Sequence, residues 1–204
     1  MTDTKQAEQE LTVIRTIMED SRKAVQDTGK HYIFWGILVS AALITNYILL
    51  NTASQGQYIG LMWFVLMVGG AIIDVIWGIR DEKKRRVHTF AGKILASLWI
   101  ASGISMFMIG FLGPITGAYN SIFICPIISI VLGVAYFTSG AIQQIKWLQL
   151  ISTFWWIGAI IMFVLPGRHV LLVFAFMLLT LEVLPGLIMY KKWKAHINTE
   201  ITSA

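Results

Sequence analysis

The chain has 204 residues, 56% of them hydrophobic and 13% charged, with a net charge of +5 and a mean hydropathy of +0.70. Soluble domains carry charge on roughly a quarter of their residues, so this composition excludes an ordinary water-soluble globule. Cys125 is the sole cysteine, which excludes an intramolecular disulfide and leaves the redox compartment open.

Residues 5–28 read as an amphipathic helix. Leu11, Ile14, Met18, Ser21 and Val25 recur at alternating steps of three and four, the apolar seam of a heptad pattern, and Ile17 and Ala24 widen it. Glu19 and Lys23 form a favourable i,i+4 pair, and Thr28-Gly29 reads as a helix stop. The face made by Leu11, Ile14, Ile17, Met18 and Val25 needs an apolar partner. The membrane surface or the protein's own cytoplasmic side, a second copy of the chain, and a different protein all remain open as occupants. Charges of both signs precede the first apolar run, unlike the short basic start of a cleavable signal, so the first span is expected to be retained.

An apolar run of about 20 residues crosses the hydrocarbon core as a helix. Six runs qualify: His31–Leu50, Tyr58–Ile79, Ile94–Leu112, Tyr119–Ile142, Trp147–Leu165 and His169–Tyr190. The expected fold is all-α, a polytopic bundle of six spans arranged as three antiparallel hairpins. Residues 1–29 form a cytoplasmic arm, 30–192 the transmembrane domain and 193–204 a short cytoplasmic tail.

Basic residues near span ends favour the cytoplasmic side. With alternating spans, Arg168 is the only one of the 16 Lys and Arg on the far side. The densest block, Arg80, Lys83, Lys84, Arg85 and Arg86, falls in the loop between spans two and three. Both termini are therefore expected in the cytoplasm, and the strength of the bias points to a bacterial inner membrane. The basic pI then reflects charge at an anionic leaflet and calls for no nucleic acid. Trp35, Trp77, Trp99, Trp147 and Trp193 fall near the same side and read as interfacial anchors, whereas Trp155 and Trp156 lie deeper.

Two acids lie inside spans, Asp74 and Glu182. A charge at mid-membrane costs at least about 2.5–3.5 kcal/mol on insertion scales, so such groups face protein or water. Gly70, Asp74 and Gly78 share a helical face, as do Glu182 and Gly186, which suggests close backbone approach beside each acid. By helix rise Asp74 lies about 9 Å from Arg80 and Glu182 about 13 Å from Lys191, at similar depth and with no Lys or Arg beside them. Pro126 and Pro185 are expected to interrupt spans four and six. The motif Glu182-Val-Leu-Pro185-Gly186 sets an acid beside a broken helix, an arrangement that transporters use to coordinate ions.

Asp74, Glu182, Gly78, Pro185 and Gly186 thus form a candidate proton, cation or packing site. Acid or aromatic residues four before a glycine (Asp74/Gly78, Tyr136/Gly140, Glu182/Gly186) also hint at an internal hairpin repeat. His31, His88 and His196 fall near the cytoplasmic side and His169 on the other, so no metal or cofactor set converges. No catalytic motif is evident. The sequence favours a non-enzymatic accessory or regulatory membrane subunit acting through its cytoplasmic helix and basic loop, with the lipid bilayer, another membrane or cytoplasmic protein, or a second copy as partner. The alternative is a small proton- or cation-coupled transporter or channel using Asp74 and Glu182.

Overall fold

Inside hydrocarbon a backbone N–H or C=O finds no water, so an apolar segment satisfies its own groups as a helix. The computed structural model describes residues 29–52, 58–84 and 90–202. Six helices in it are long and apolar enough to cross a membrane, as expected of a multi-pass integral membrane protein. They are α1 (Lys30–Asn51), α2 (Ile59–Lys84), α3 (Phe90–Phe107), α4 (Ile124–Gln143) and α5 (Lys146–Val164), followed by a sixth span in two parts, α6 (Val170–Leu178) and α7 (Leu184–Thr202). A π-helical turn, Met108–Leu112, prolongs α3, and another, Leu179–Val183, joins α6 to α7. The apolar seam of Leu11, Ile14, Ile17, Met18 and Val25, and the loop residues Arg85 and Arg86, lie outside the described residues.

The spans differ from expectation at the basic side. The second helix continues through Arg80 to Lys84 and the third already begins at Phe90, so residues 85–89 alone separate them. Lys and Arg are good helix formers, so a basic run can prolong a helix past its apolar span. The last helix likewise runs on to Thr202, so the tail expected from residue 193 continues it as helix. Pro126 does not interrupt span four. It sits in the first turn of α4, where its missing N–H breaks no intrahelical bond.

Both π turns have one cause. Each ends two residues before a proline, Pro114 or Pro185. A proline ring clashes with the carbonyl four residues back, and widening the preceding turn relieves that contact. Gly113 N–H reaches back to the Met108 carbonyl, and Pro114 has no N–H to offer Ile109. The Tyr119 hydroxyl donates to the Ile109 carbonyl instead. That ring lies against Gly113, where a Cβ would stand 2.2 Å from it.

The bundle is ordered α2, α1, sixth span, α5, α4, α3, with its densest contact between α4 and α5. Those two are joined by Gln144-Ile145 alone. Gln144 adopts a left-handed conformation (φ 53°), and Ile145 N–H caps the Gly140 carbonyl at 2.8 Å. The spans alternate in direction as expected, but α4 with α5 and α1 with the sixth span pack most closely, across the hairpins drawn from sequence.

Lipid tails are as apolar as leucine, so spans associate through packing, small residues and interhelical hydrogen bonds. Gly36 and Ser40 bring α1 to the sixth span. A Cβ on Gly36 would stand 2.6 Å from Val183, and Ser40 Oγ donates to the Ala175 carbonyl at 3.2 Å. Ser129 Oγ donates to the Trp155 carbonyl at 2.7 Å, and Gly133 receives the Trp156 indole. An aromatic chain crosses the interior: Tyr32 to Trp99 at 5.3 Å, Trp99 to Tyr136 at 5.7 Å, Tyr136 to Trp155 at 5.9 Å and Trp155 to Phe174 at 6.0 Å. Trp99 therefore packs against the core, where an interfacial anchor was expected. Cys125 is buried in the first turn of α4.

The tightest crossing joins the start of α1 to α7. Gly29 has φ +71°, and a Cβ on it would stand 2.3 Å from the Gly186 carbonyl. Gly29→Ala combines a left-handed backbone with a collision against main chain, and is expected to cost about 2–4 kcal/mol of stability in detergent unfolding. Gly78→Ala, with nothing within 4 Å of its Cβ position, should stay within about 0.5 kcal/mol of the parent. Equal stabilities for the two variants would refute this account of the crossing.

Candidate functional site

Asp74 sits on the face of α2 that meets α1. The hairpin register sets Gly70 against Trp35 and Leu38 and stacks Phe34 edge-on to Trp77 at 5.2 Å. One turn further along α2 from Gly70, the Asp74 carboxylate accepts a hydrogen bond from His31 Nδ1, a salt bridge when the imidazole is protonated. The two side chains are 32% (His31) and 28% (Asp74) exposed. This arrangement pairs an in-span acid with a donor from the adjacent helix near the polar end of the hairpin.

Glu182 is in a different setting. It lies in the π turn between α6 and α7 and is 5% exposed. Its backbone runs beside α1, where its Cβ comes within 3.5 Å of the position a Gly36 Cβ would take. Among the described residues no hydrogen bond or ion pair reaches its carboxyl group. The serines of neighbouring spans are not bonded to it: Ser105 donates to the Ala101 carbonyl at 2.8 Å, and Ser102 and Ser139 are buried elsewhere in α3 and α4. The interior holds further polar groups. Ser139 Oγ, the Gln143 amide and the indole nitrogens of Trp99 and Trp155 are buried without a hydrogen-bond partner among the described residues. Each such group costs about 1–3 kcal/mol unless satisfied.

The structure does not bring the two acids together. Asp74 meets α1 at His31 and Glu182 meets it at Gly36. Five residues of helix turn the direction by about 140° and move along the axis by about 7 Å. The acids therefore approach α1 from different sides, and α1 stands between them. Of their companions, Gly186 packs against the start of α1, with Tyr32 3.0 Å from its Cβ position, and Pro185 is buried. No described atom lies within 4 Å of a Gly78 Cβ, so Gly78 brings no neighbour close to Asp74. Arg80 is exposed beyond it.

Sequence reasoning missed His31. Seeking a Lys or Arg counter-charge overlooked a neutralisable imidazole at the start of the neighbouring span. Antiparallel pairing of spans one and two would have set it near Asp74. Among the described residues, no group of three or more His, Cys, Asp or Glu could hold a metal ion.

No family model matches the chain, no curated protein matches it, and no solved structure matches it. The His31–Asp74 contact gives a direct test. In a double-mutant cycle of His31→Ala and Asp74→Ala, unfolding in bicelles should show a coupling of about 1 kcal/mol. Additivity within about 0.3 kcal/mol would mean that the pair contributes nothing to holding α2 on α1.

Proposed function

We propose that this integral membrane protein is a non-enzymatic accessory or regulatory subunit that meets its partner through spans two and three, the basic segment between them and the N-terminal amphipathic helix. The observation that carries the reading is uneven burial. In span two 6% of the most apolar window is buried and in span three 11%, against 39% in span four and 44% in span six. Spans one, four, five and six build most of the core; span three adds Leu95 and Trp99 to it, and spans two and three otherwise present broad apolar faces outward. The exposed side chains of α3 include Ile100 and Ile104, at 64% and 59%. The basic block falls between the two least buried spans, so a partner seated on those spans also meets the cationic segment. Lys and Arg concentrated on one side support cytoplasmic termini, and a bacterial inner membrane is the proposed location.

The experiment is purification in mild detergent from native membranes of the full-length chain and of a chain lacking residues 1–28, followed by mass spectrometry. A stoichiometric partner protein or second copy is expected with the full-length chain, reduced at least about tenfold without the arm, as for loss of about 1.4 kcal/mol of binding. Monomer in both preparations would end this reading.

A second reading, proton- or cation-coupled transport, is favoured by one feature: a buried carboxyl group in a π turn next to a proline. Backbone carbonyls freed beside Pro185 are the kind of group that coordinates ions in discontinuous helices. On this reading Glu182→Gln abolishes ion flux in proteoliposomes, whereas Asp74→Asn, held apart by α1, leaves most of it. Flux unchanged by Glu182→Gln would exclude Glu182 as the coupling group.

A further inference from the structure

The two ends of the α1–α2 hairpin are built differently. On the basic side the helices touch: a Cβ on Gly70 would stand 2.7 Å from Leu38 and 3.0 Å from Trp35, and His31 bonds Asp74. Toward the other end they part around an open cleft of about 550 Å³, lined by Leu38, Ala41 and Thr45 of α1, by Leu61 and Val65 of α2, and by Tyr58 just before it. Hairpin packing has a wedge missing.

The lining decides what can fill that wedge. Thr45 is the one hydroxyl along its α1 wall, and it donates to the Ala41 carbonyl at 2.9 Å. A bound water needs two to four polar partners, and a polar solute needs more. Beyond Thr45, whose hydroxyl proton is taken up by the Ala41 carbonyl, the lining adds the Tyr58 hydroxyl, too few polar groups for either. A transmembrane helix is about 10–12 Å wide, so a segment matching the roughly 12 Å between Tyr58 and Leu66 displaces on the order of 1,000 Å³, well beyond this space. Left empty, the walls would forfeit their dispersion contacts. Leu61 and Val65 are 62% and 59% exposed, so the cleft opens sideways onto the surface that faces lipid.

We infer that this cleft is a lipid site, taking one acyl chain of a membrane phospholipid that wedges between α1 and α2 and completes the attachment of α2 to the bundle. The inference goes beyond the proposed function and does not depend on it. A slender, flexible hydrocarbon chain is the occupant that matches the volume, the apolar lining and the lateral opening together. On the basic side, the same hairpin is closed by protein contacts.

The test uses the full-length protein in mild detergent with added palmitoyl-oleoyl phosphatidylglycerol, read by native mass spectrometry. One lipid should stay bound per chain. Ala41→Phe fills the cleft from an exposed position and should lower the lipid-bound fraction at least about fivefold, as for a loss near 1 kcal/mol. Ile160→Phe, on the exposed face of α5, should leave it unchanged. Equal retention in all three proteins overturns the proposal, as does a two-chain species that Ala41→Phe abolishes, which would make a second copy the occupant. Should Ala41→Phe fail to fold, the parent decides. Its Tm should rise with the phospholipid and not with glycerol phosphate, and an equal rise with both would assign binding to the headgroup and sink the acyl-chain site.

Discussion

Contact between α1 and the sixth span is the constraint on which the rest of the bundle depends. It runs from Gly29 on Gly186, through Gly36 on Val183, to Ser40 on Ala175. Each step needs a small residue, because close approach of helix backbones supplies the van der Waals contact that hydrophobicity cannot supply in lipid. With α1 seated there, Tyr32 enters the aromatic chain that ends at Phe174. The opposite side of α1 then becomes the platform on which α2 rests. Remove the glycines and both faces of α1 lose their positions together.

Proline supplies the second organising element. Two prolines at the same distance behind a π turn show one local rule acting twice, with different consequences. At Pro114 the rule is compensated, because Tyr119 donates to the carbonyl that the proline leaves without an N–H. At Pro185 the widened turn carries Glu182 into the interior beside Gly36. The same backbone device therefore shapes a loop at one place and sets a buried acid at another. Asp74, on a regular stretch of α2, has a neighbour for its carboxylate and is correspondingly ordinary.

The number of spans, their alternation and the membrane-bound character of the chain were legible in its apolar runs, because length and hydropathy are the quantities that a bilayer selects. The order of packing was not. Which faces meet depends on small residues whose meaning is set by their opposite number: Gly186 and Gly78 look alike in sequence, yet one contacts Gly29 and the other contacts nothing within 4 Å of its Cβ position. Pro126 and Pro185 are likewise the same residue with different outcomes, decided by whether the helix has already begun. For the candidate site, both acids stood out as charges in apolar surroundings. Their separation by α1 and the His31 partner did not, since each is a relation between distant segments. The helix extension through Lys84 was legible in principle, because a basic run at a span end is as good a helix former as a loop.

The closure of α1 on the sixth span also sets an order of events during synthesis. Ser40 and Ala175 are 135 residues apart in the chain. At 5–20 residues per second, a ribosome needs roughly 7–30 s to deliver the second after the first. Throughout that interval the first hairpin sits in the bilayer with the small-residue face of α1 uncovered, open to lipid, to insertion factors or to the wrong helix. A chain that stops before the sixth span would lose more than its last helix. It would leave its first one without the surface that it was shaped to meet, and such products are natural targets for membrane quality control.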